Sequence, residues 1–257
     1  MTIGLIVTLF AIGLVGSFIS GMLGIGGAII KFPMLLYIPT LLGVGSFTSH
    51  EVSGITAVEV LVTSISGVLA FRKGSYLNAQ LIMIMGAAVL VGSLGGSFLS
   101  SGFSEEGVNL VYGIFALLAA VLMLIPRKQV PDTTEVTFNK PLAAALALFV
   151  GLGSGVVGAG GGFLLVPIML VILKIPTRVT IASSLAITFI SSIGGSIGKI
   201  STGQVEWLPV IILSVAAIIA APIGAKVAKS MNTRALQIFL ALLITLTAVK
   251  IWTDILF

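Results

Sequence analysis

Two eight-residue stretches share one pattern, SGMLGIGG at Ser20–Gly27 and SGVVGAGG at Ser154–Gly161. A serine, a first glycine, a middle glycine and a closing Gly-Gly recur at the same spacing. A proline follows each copy at the same distance, Pro33 and Pro167. The glycines interrupt apolar runs that would otherwise continue as helices. A helix that restarts after such a break presents unpaired N–H groups with partial positive charge. That chemistry suits a small anion, and glycine lets a ligand approach the backbone. The candidate binding residues are therefore Gly24, Gly26, Gly27 and Ala28 in the first copy, and Gly158, Gly160, Gly161 and Gly162 in the second. Close packing is the competing explanation, because small residues also let membrane helices approach each other. Packing alone would scatter the 31 glycines or space them as GxxxG, and does not require one pattern twice. A phosphate-cradling reading of GIGGAIIK is weak: the GKS or GKT ending is missing, and the second copy has no lysine.

Polar residues on the neighbouring runs extend the set. Lys31 falls in the first turn after the first break, where a cation opposes the helix dipole and is costly in lipid. Its counterpart is Leu165, so the two copies carry one fixed cation. Two partners are open to it, a bound anion or Glu59, and the two can alternate. Glu59 sits about two turns into its own run, with Thr63 and Ser66 following on the same face. The matching positions are Thr188, Ser192 and Gly195, with Ser184 one turn earlier. The two stripes read as a substrate path. Back-bonding to their own helices, or gluing of helices, is the structural alternative. An intramembrane carboxylate is a functional candidate, so Glu59 is the residue to carry a coupling proton. His50 and Glu51 are gate candidates at the outer mouth, with a helix-start polar pair as the plainer reading. A lone histidine in a chain without cysteine makes a poor metal site, and no metal or cofactor is expected.

The elements that must position these residues follow from composition. Of the 257 residues, 58% are hydrophobic and 8% charged, with mean hydropathy +1.25. Soluble domains carry about 25% charged residues. The chain reads as an all-α polytopic membrane protein, since its runs are too long and too uniformly apolar for barrel strands. The N-terminus MTIGLIVTLF has no basic stretch and reads as a first helix. The net charge of +5 comes from short loops, with no basic stripe of the kind that binds nucleic acid. Thr2–Tyr37 is a first glycine-broken run and Pro39–Ser49 a loop. Helices are predicted near Glu51–Phe71, Ala79–Leu99 and Gly107–Ile125. After the polar linker, residues 127–140, come a second broken run, Pro141–Leu173, and helices near Arg178–Ile200, Leu208–Ala228 and Thr233–Leu256.

The restart is an internal repeat. Gly24 and Pro33 match Gly158 and Pro167 at an offset of 134, and Gly74 and Gly95 match Gly203 and Gly224 at 129. One helix over Thr2–Tyr37 would be roughly 54 Å long against a bilayer core of about 30 Å, so it must fold at the glycines into a hairpin. Each half then makes an odd number of crossings, and the repeats, 1–126 and 141–257, are inverted. The expectation is about ten helical segments, each half a broken hairpin followed by three spans. Placing both termini outside puts Arg72, Lys73, Arg127, Lys128, Lys140, Lys174, Arg178, Lys226, Lys229 and Arg234 at cytoplasmic ends. Only Lys199 and Lys250 are then left outside, as the positive-inside bias requires. Trp207 and Trp252 fit outer-interface anchors, and Glu105 and Glu106 solvated caps.

The repeated SGxxGxGG-x5-P, the turn RKGSYLN with its counterpart STGQVEW, and the segments GSLGGSFL and APIGAKVA resemble the TauE/SafE family over essentially the whole chain. The resemblance implies transport of a small sulfur-containing anion, sulfite or a sulfonate, across a cytoplasmic membrane. The residues by themselves argue only for a small anion. No ATP-binding motif occurs, so energy would come from an ion gradient or from substrate running downhill. The expected partners are a sulfur oxyanion or organosulfonate and membrane lipid, with proton coupling and a homo-oligomer both open. A proton- or cation-coupled transporter or channel for another small anion is the alternative. A membrane enzyme is disfavoured, because no nucleophile–base–acid set is present. A non-transporting assembly factor is the remaining rival.

Overall fold

Backbone groups in lipid find no partner but one another, so the apolar runs become helices. The computed structural model describes residues 2–71, 76–125 and 136–256. They form α1 (Ile3–Leu23), α2 (Ala28–Leu41), α3 (Ser49–Phe71), α4 (Ala79–Leu99), α5 (Glu105–Leu124), α6 (Lys140–Val157), α7 (Gly162–Pro167), α8 (Thr177–Ser201), α9 (Trp207–Ser230) and α10 (Thr233–Leu256). All but α2 and α7 are long and apolar enough to cross a membrane. The expected Arg72, Lys73, Gly74, Arg127 and Lys128, with most of the linker, lie outside the described residues.

Helix ends are set locally. Asn78, Ser104 and Asn139 cap α4, α5 and α6, each side-chain oxygen accepting from the N–H three residues on. The Ser104 cap starts α5 at Glu105, two residues before the predicted Gly107. α3 starts at Ser49 because Thr48 and Glu51 form a reciprocal capping box. α2 continues through Pro39 to Leu41, where a loop was predicted from Pro39. Proline removes one N–H but does not end a helix whose neighbours supply the missing partner. Pro33 frees the carbonyl of Ile29, and the buried Tyr112 of α5 donates its hydroxyl to that oxygen at 2.5 Å. Pro167 ends regular α7, which widens into a π-helical turn over Ile168–Ile172.

The halves interlock. α1 lies along α9, α4 along α6, α3 against α8 and α9, α8 against α4, and α5 against α10. Exchanging the halves turns α1·α9 into α6·α4 and α3·α9 into α8·α4, and returns α3·α8 and α5·α10 to themselves. Glycines allow the closest crossings. A Cβ on Gly224 would stand 1.9 Å from the carbonyl oxygen of Phe18, and one on Gly96 would stand 1.9 Å from that of Leu152. These glycines do serve packing. α3 and α8 run antiparallel, since Ser196 near the end of α8 donates to the carbonyl of Ala57 near the start of α3. At the opposite end Arg178 donates to the carbonyls of Lys229 and Met231, and Lys229 donates to that of Ala70.

Candidate functional site

The two glycine motifs build the same turn. α1 and α6 each end on a left-handed glycine, Gly24 (φ 76°) and Gly158 (φ 73°), whose N–H returns to the carbonyl of Ser20 or Ser154. Gly27 (φ 80°) and Gly161 (φ 76°) then open α2 and α7, with Gly26 and Gly160 also at positive φ. Side chains rarely adopt this conformation, so these glycines are required by the turn itself. Among the described residues no backbone acceptor serves the N–H groups of Gly26, Gly27 and Ala28, or those of Gly160, Gly161 and Gly162.

The tips meet in the interior. Cβ atoms on Gly26 and Gly160 would fall 2.6 and 2.8 Å from Cγ2 of Thr188, and 3.3 and 2.7 Å from Cγ1 of Val60. A Cβ on Gly162 would fall 2.6 Å from both the carbonyl oxygen of Ile25 and the hydroxyl of Thr188. Both tips are buried throughout, and the side chains of Val60 (α3) and Thr188 (α8) stand between them. Thr188 Oγ1, and Ser20 Oγ beside Gly27, are buried hydroxyls with no hydrogen-bond partner among the described residues. A desolvated hydroxyl without a partner is uncommon. Ser184, one turn before Thr188, donates to the carbonyl of Gly24 at 2.7 Å.

Lys31 pairs with Glu59. Its Nζ lies 2.6 Å from Oε1 and 2.5 Å from Oε2, and donates to the hydroxyls of Ser17 and Thr63 at 3.1 Å each. Thr63 and Ser17 in turn donate to Glu59 Oε1. All four side chains are buried. The lysine stem folds back over Gly16 and Gly27: a Cβ on Gly16 would fall 2.4 Å from its Cγ, and one on Gly27 2.9 Å from Nζ. The cation thus sits beside the first tip, with its charge matched by a carboxylate.

The family model described as "Sulfite exporter TauE/SafE" matches residues 9–251, from within α1 to within α10. The chain belongs to the TauE/SafE family. It is a membrane transporter of that family. A similar protein is the "Probable membrane transporter protein YunE" of Bacillus subtilis, 26% identical over 93% of this chain and 94% of its own length. A "Probable membrane transporter protein" of Xylella fastidiosa is 32% identical over 79% of this chain and 74% of its own. No solved structure matches.

In this TauE/SafE protein the remaining candidates are placed differently. Ser66 and Ser192 donate to the carbonyls of Val62 and Phe189 in their own helices. His50 and Glu51 lie at the start of α3. Glu51 caps that helix, and the His50 ring reaches Gln204 Oε1 at 3.3 Å and the carbonyl of Phe103 at 3.0 Å. Trp252 donates to the carbonyl of Gly113. Lys199, read from sequence as an outer-end charge, is a buried side chain in the last turn of α8. It continues the Thr188, Ser192, Ser196 face of α8 at helical spacing, which is the signal that could have found it. Val60 and Ser17 carried no such signal, since their roles depend on helices remote in sequence.

Proposed function

We propose that this TauE/SafE protein exports a small sulfur oxyanion, sulfite or a sulfonate, across the cytoplasmic membrane by alternating access. The observation that carries the reading is the meeting of two left-handed glycine turns, with unpaired N–H groups, around the partnerless hydroxyl of Thr188. The oxyanion takes N–H groups from Gly26–Ala28 and Gly160–Gly162 and the hydroxyls of Thr188 and Ser20. Admission requires Val60 and Thr188 to part from the tips, a relative movement of α3 and α8. The family's own description supplies the sulfur chemistry.

Two inverted repeats, 1–126 and 141–257, joined by a cytoplasmic linker with both termini outside, form part of the same reading. Its support is the set of helix pairings unchanged when the halves are exchanged. Lys31 holds Glu59 when the site is empty and turns to the anion when it is filled, Glu59 then taking a proton. The test is counterflow of radiolabelled sulfite into proteoliposomes. Thr188→Val is expected to lower it roughly tenfold or more, as loss of a hydrogen bond to a charged ligand does, and Gly26→Val to abolish it. Ser66→Ala, which touches neither tip, should leave it near wild type. Equal flux through wild type and Thr188→Val refutes the tip site. A Glu59→Gln variant with unchanged pH dependence of flux refutes the proton step.

A further inference from the structure

One buried cation has no part in the tip site. Lys199, in the last turn of α8, is wholly inaccessible to solvent. Its Nζ donates to Ser100 Oγ at 2.6 Å, to the carbonyl of Val156 at 2.9 Å and to Gln204 Oε1 at 2.9 Å. All three acceptors are neutral. Among the described residues the one ion pair is Lys31 with Glu59, so Lys199 has no carboxylate. A desolvated ammonium without a counter-charge is disfavoured by several kcal/mol, and neutral dipoles offset only part of that. The end of α6 contributes its carbonyl dipole, which is the purely structural account of this lysine. The surroundings exceed what a helix cap needs. Gln204 Oε1 also faces Nδ1 of His50 at 3.3 Å, and its Nε2 donates to Ser100 Oγ at 3.3 Å. A lysine, a histidine, an amide and a serine hydroxyl therefore converge at one point.

The location fits a path. Val156 lies two residues before Gly158, where the second tip begins. Ser53 donates to the same Val156 carbonyl at 3.0 Å, and its own carbonyl oxygen would stand 1.9 Å from a Cβ on Gly158. Lys199 therefore adjoins the second tip on the side where α3 begins and α8 ends. At the opposite end of the same two helices the repeat counterpart of Lys199 is Ala70, which offers its carbonyl to Lys229.

We propose that Lys199 is a second anion station, between the hairpin tips and the molecular end bearing the start of α3. A small oxyanion leaving the tips is received by Lys199 Nζ, the Ser100 hydroxyl and the Gln204 amide, with His50 as the outer cover. This rests on the anion-transport reading but is tested apart from it. Binding of radiolabelled sulfite to purified protein in nanodiscs is measured for wild type, Lys199→Met, Lys199→Arg, Thr188→Val and the Lys199→Met/Thr188→Val double variant. Two saturable components are expected in wild type, one in each of Lys199→Met and Thr188→Val, none in the double variant, and both in Lys199→Arg. Met has nearly the length of lysine without its charge, and replacing a buried charge by an apolar side chain is often neutral for folding. A Lys199→Met protein that melts normally and binds sulfite as wild type does overturns the station. So does equal loss in Lys199→Met and Lys199→Arg. Loss in Lys199→Met with no effect of Thr188→Val keeps the station and removes the tip site.

Discussion

Removing one charge of the Lys31–Glu59 pair leaves the other stranded, because both side chains are fully buried and their remaining partners are hydroxyls. Glu59→Gln is therefore expected to lower stability by about 3–5 kcal/mol, and the Lys31→Met/Glu59→Gln double variant to recover most of it. Thermal melts in detergent, read as a double-mutant cycle, check this, and additive losses would contradict it. Tyr112→Phe is a smaller change with the same logic. It leaves the Ile29 carbonyl, already deprived of its helical partner by Pro33, without a donor. The expected loss is about 1–3 kcal/mol. The ring stacks on Phe32 with centroids 4.6 Å apart and should stay in place, so the hydroxyl alone is measured. Sequence reading found Lys31 and Glu59 from their cost in lipid. It did not find Tyr112, whose only mark is a hydroxyl in an apolar run.

At the scale of the helix, neighbouring glycines with the same sequence appearance do different things. Gly96 faces the backbone of α6, where an added Cβ would overlap the Leu152 carbonyl oxygen, whereas on Gly95 it would make an ordinary 3.6 Å contact with Leu152 Cδ2. Gly96→Ala must push α4 away from α6 and should cost more than 1–2 kcal/mol, as overpacking does. Gly95→Ala should be neutral or stabilising by up to about 1 kcal/mol, the gain in helix propensity. Melting both variants side by side tests the crossing, and equal effects would mean that the two helices are not in this register. At the tips conformation and closeness act together, so even alanine at Gly26 or Gly160 is strained by positive φ and crowded by Thr188 and Val60. Helix packing alone accounts for Gly96, whereas the tip glycines are also set by their backbone conformation.

For the whole molecule, the pairing of α1 with α9 and of α4 with α6 makes each half incomplete without the other. Each first hairpin arm packs along the fourth helix of the opposite half, so a half expressed alone would leave glycine-lined grooves open. The end that gathers Arg178, Lys229 and Arg234 is the cytoplasmic one in the proposed orientation, and the end with His50 and Ser101 the outer one. The chain has no cysteine, so single cysteines report directly. Ser101→Cys, on an exposed site, should react with an impermeant maleimide in intact cells, and the exposed Ser230→Cys only after permeabilisation. The reverse pattern would invert the orientation, and labelling of both from one side would remove the inverted arrangement.

What this sequence determined by itself was the solvent and the breaks. An apolar chain with few charges must be helical in lipid, because its backbone has no other way to satisfy itself. Glycine pairs repeated with a trailing proline must interrupt those helices, because no other residue turns so tightly. Both inferences depend on local covalent chemistry, which a sequence states outright. The tertiary structure decided which groups share a space: the two tips across Val60 and Thr188, Lys31 on Glu59 with Ser17, and Lys199 above the second tip. Those contacts join residues far apart in the chain. They depend on which helix lies along which, and packing energies among so many apolar faces are too alike for a linear pattern to rank.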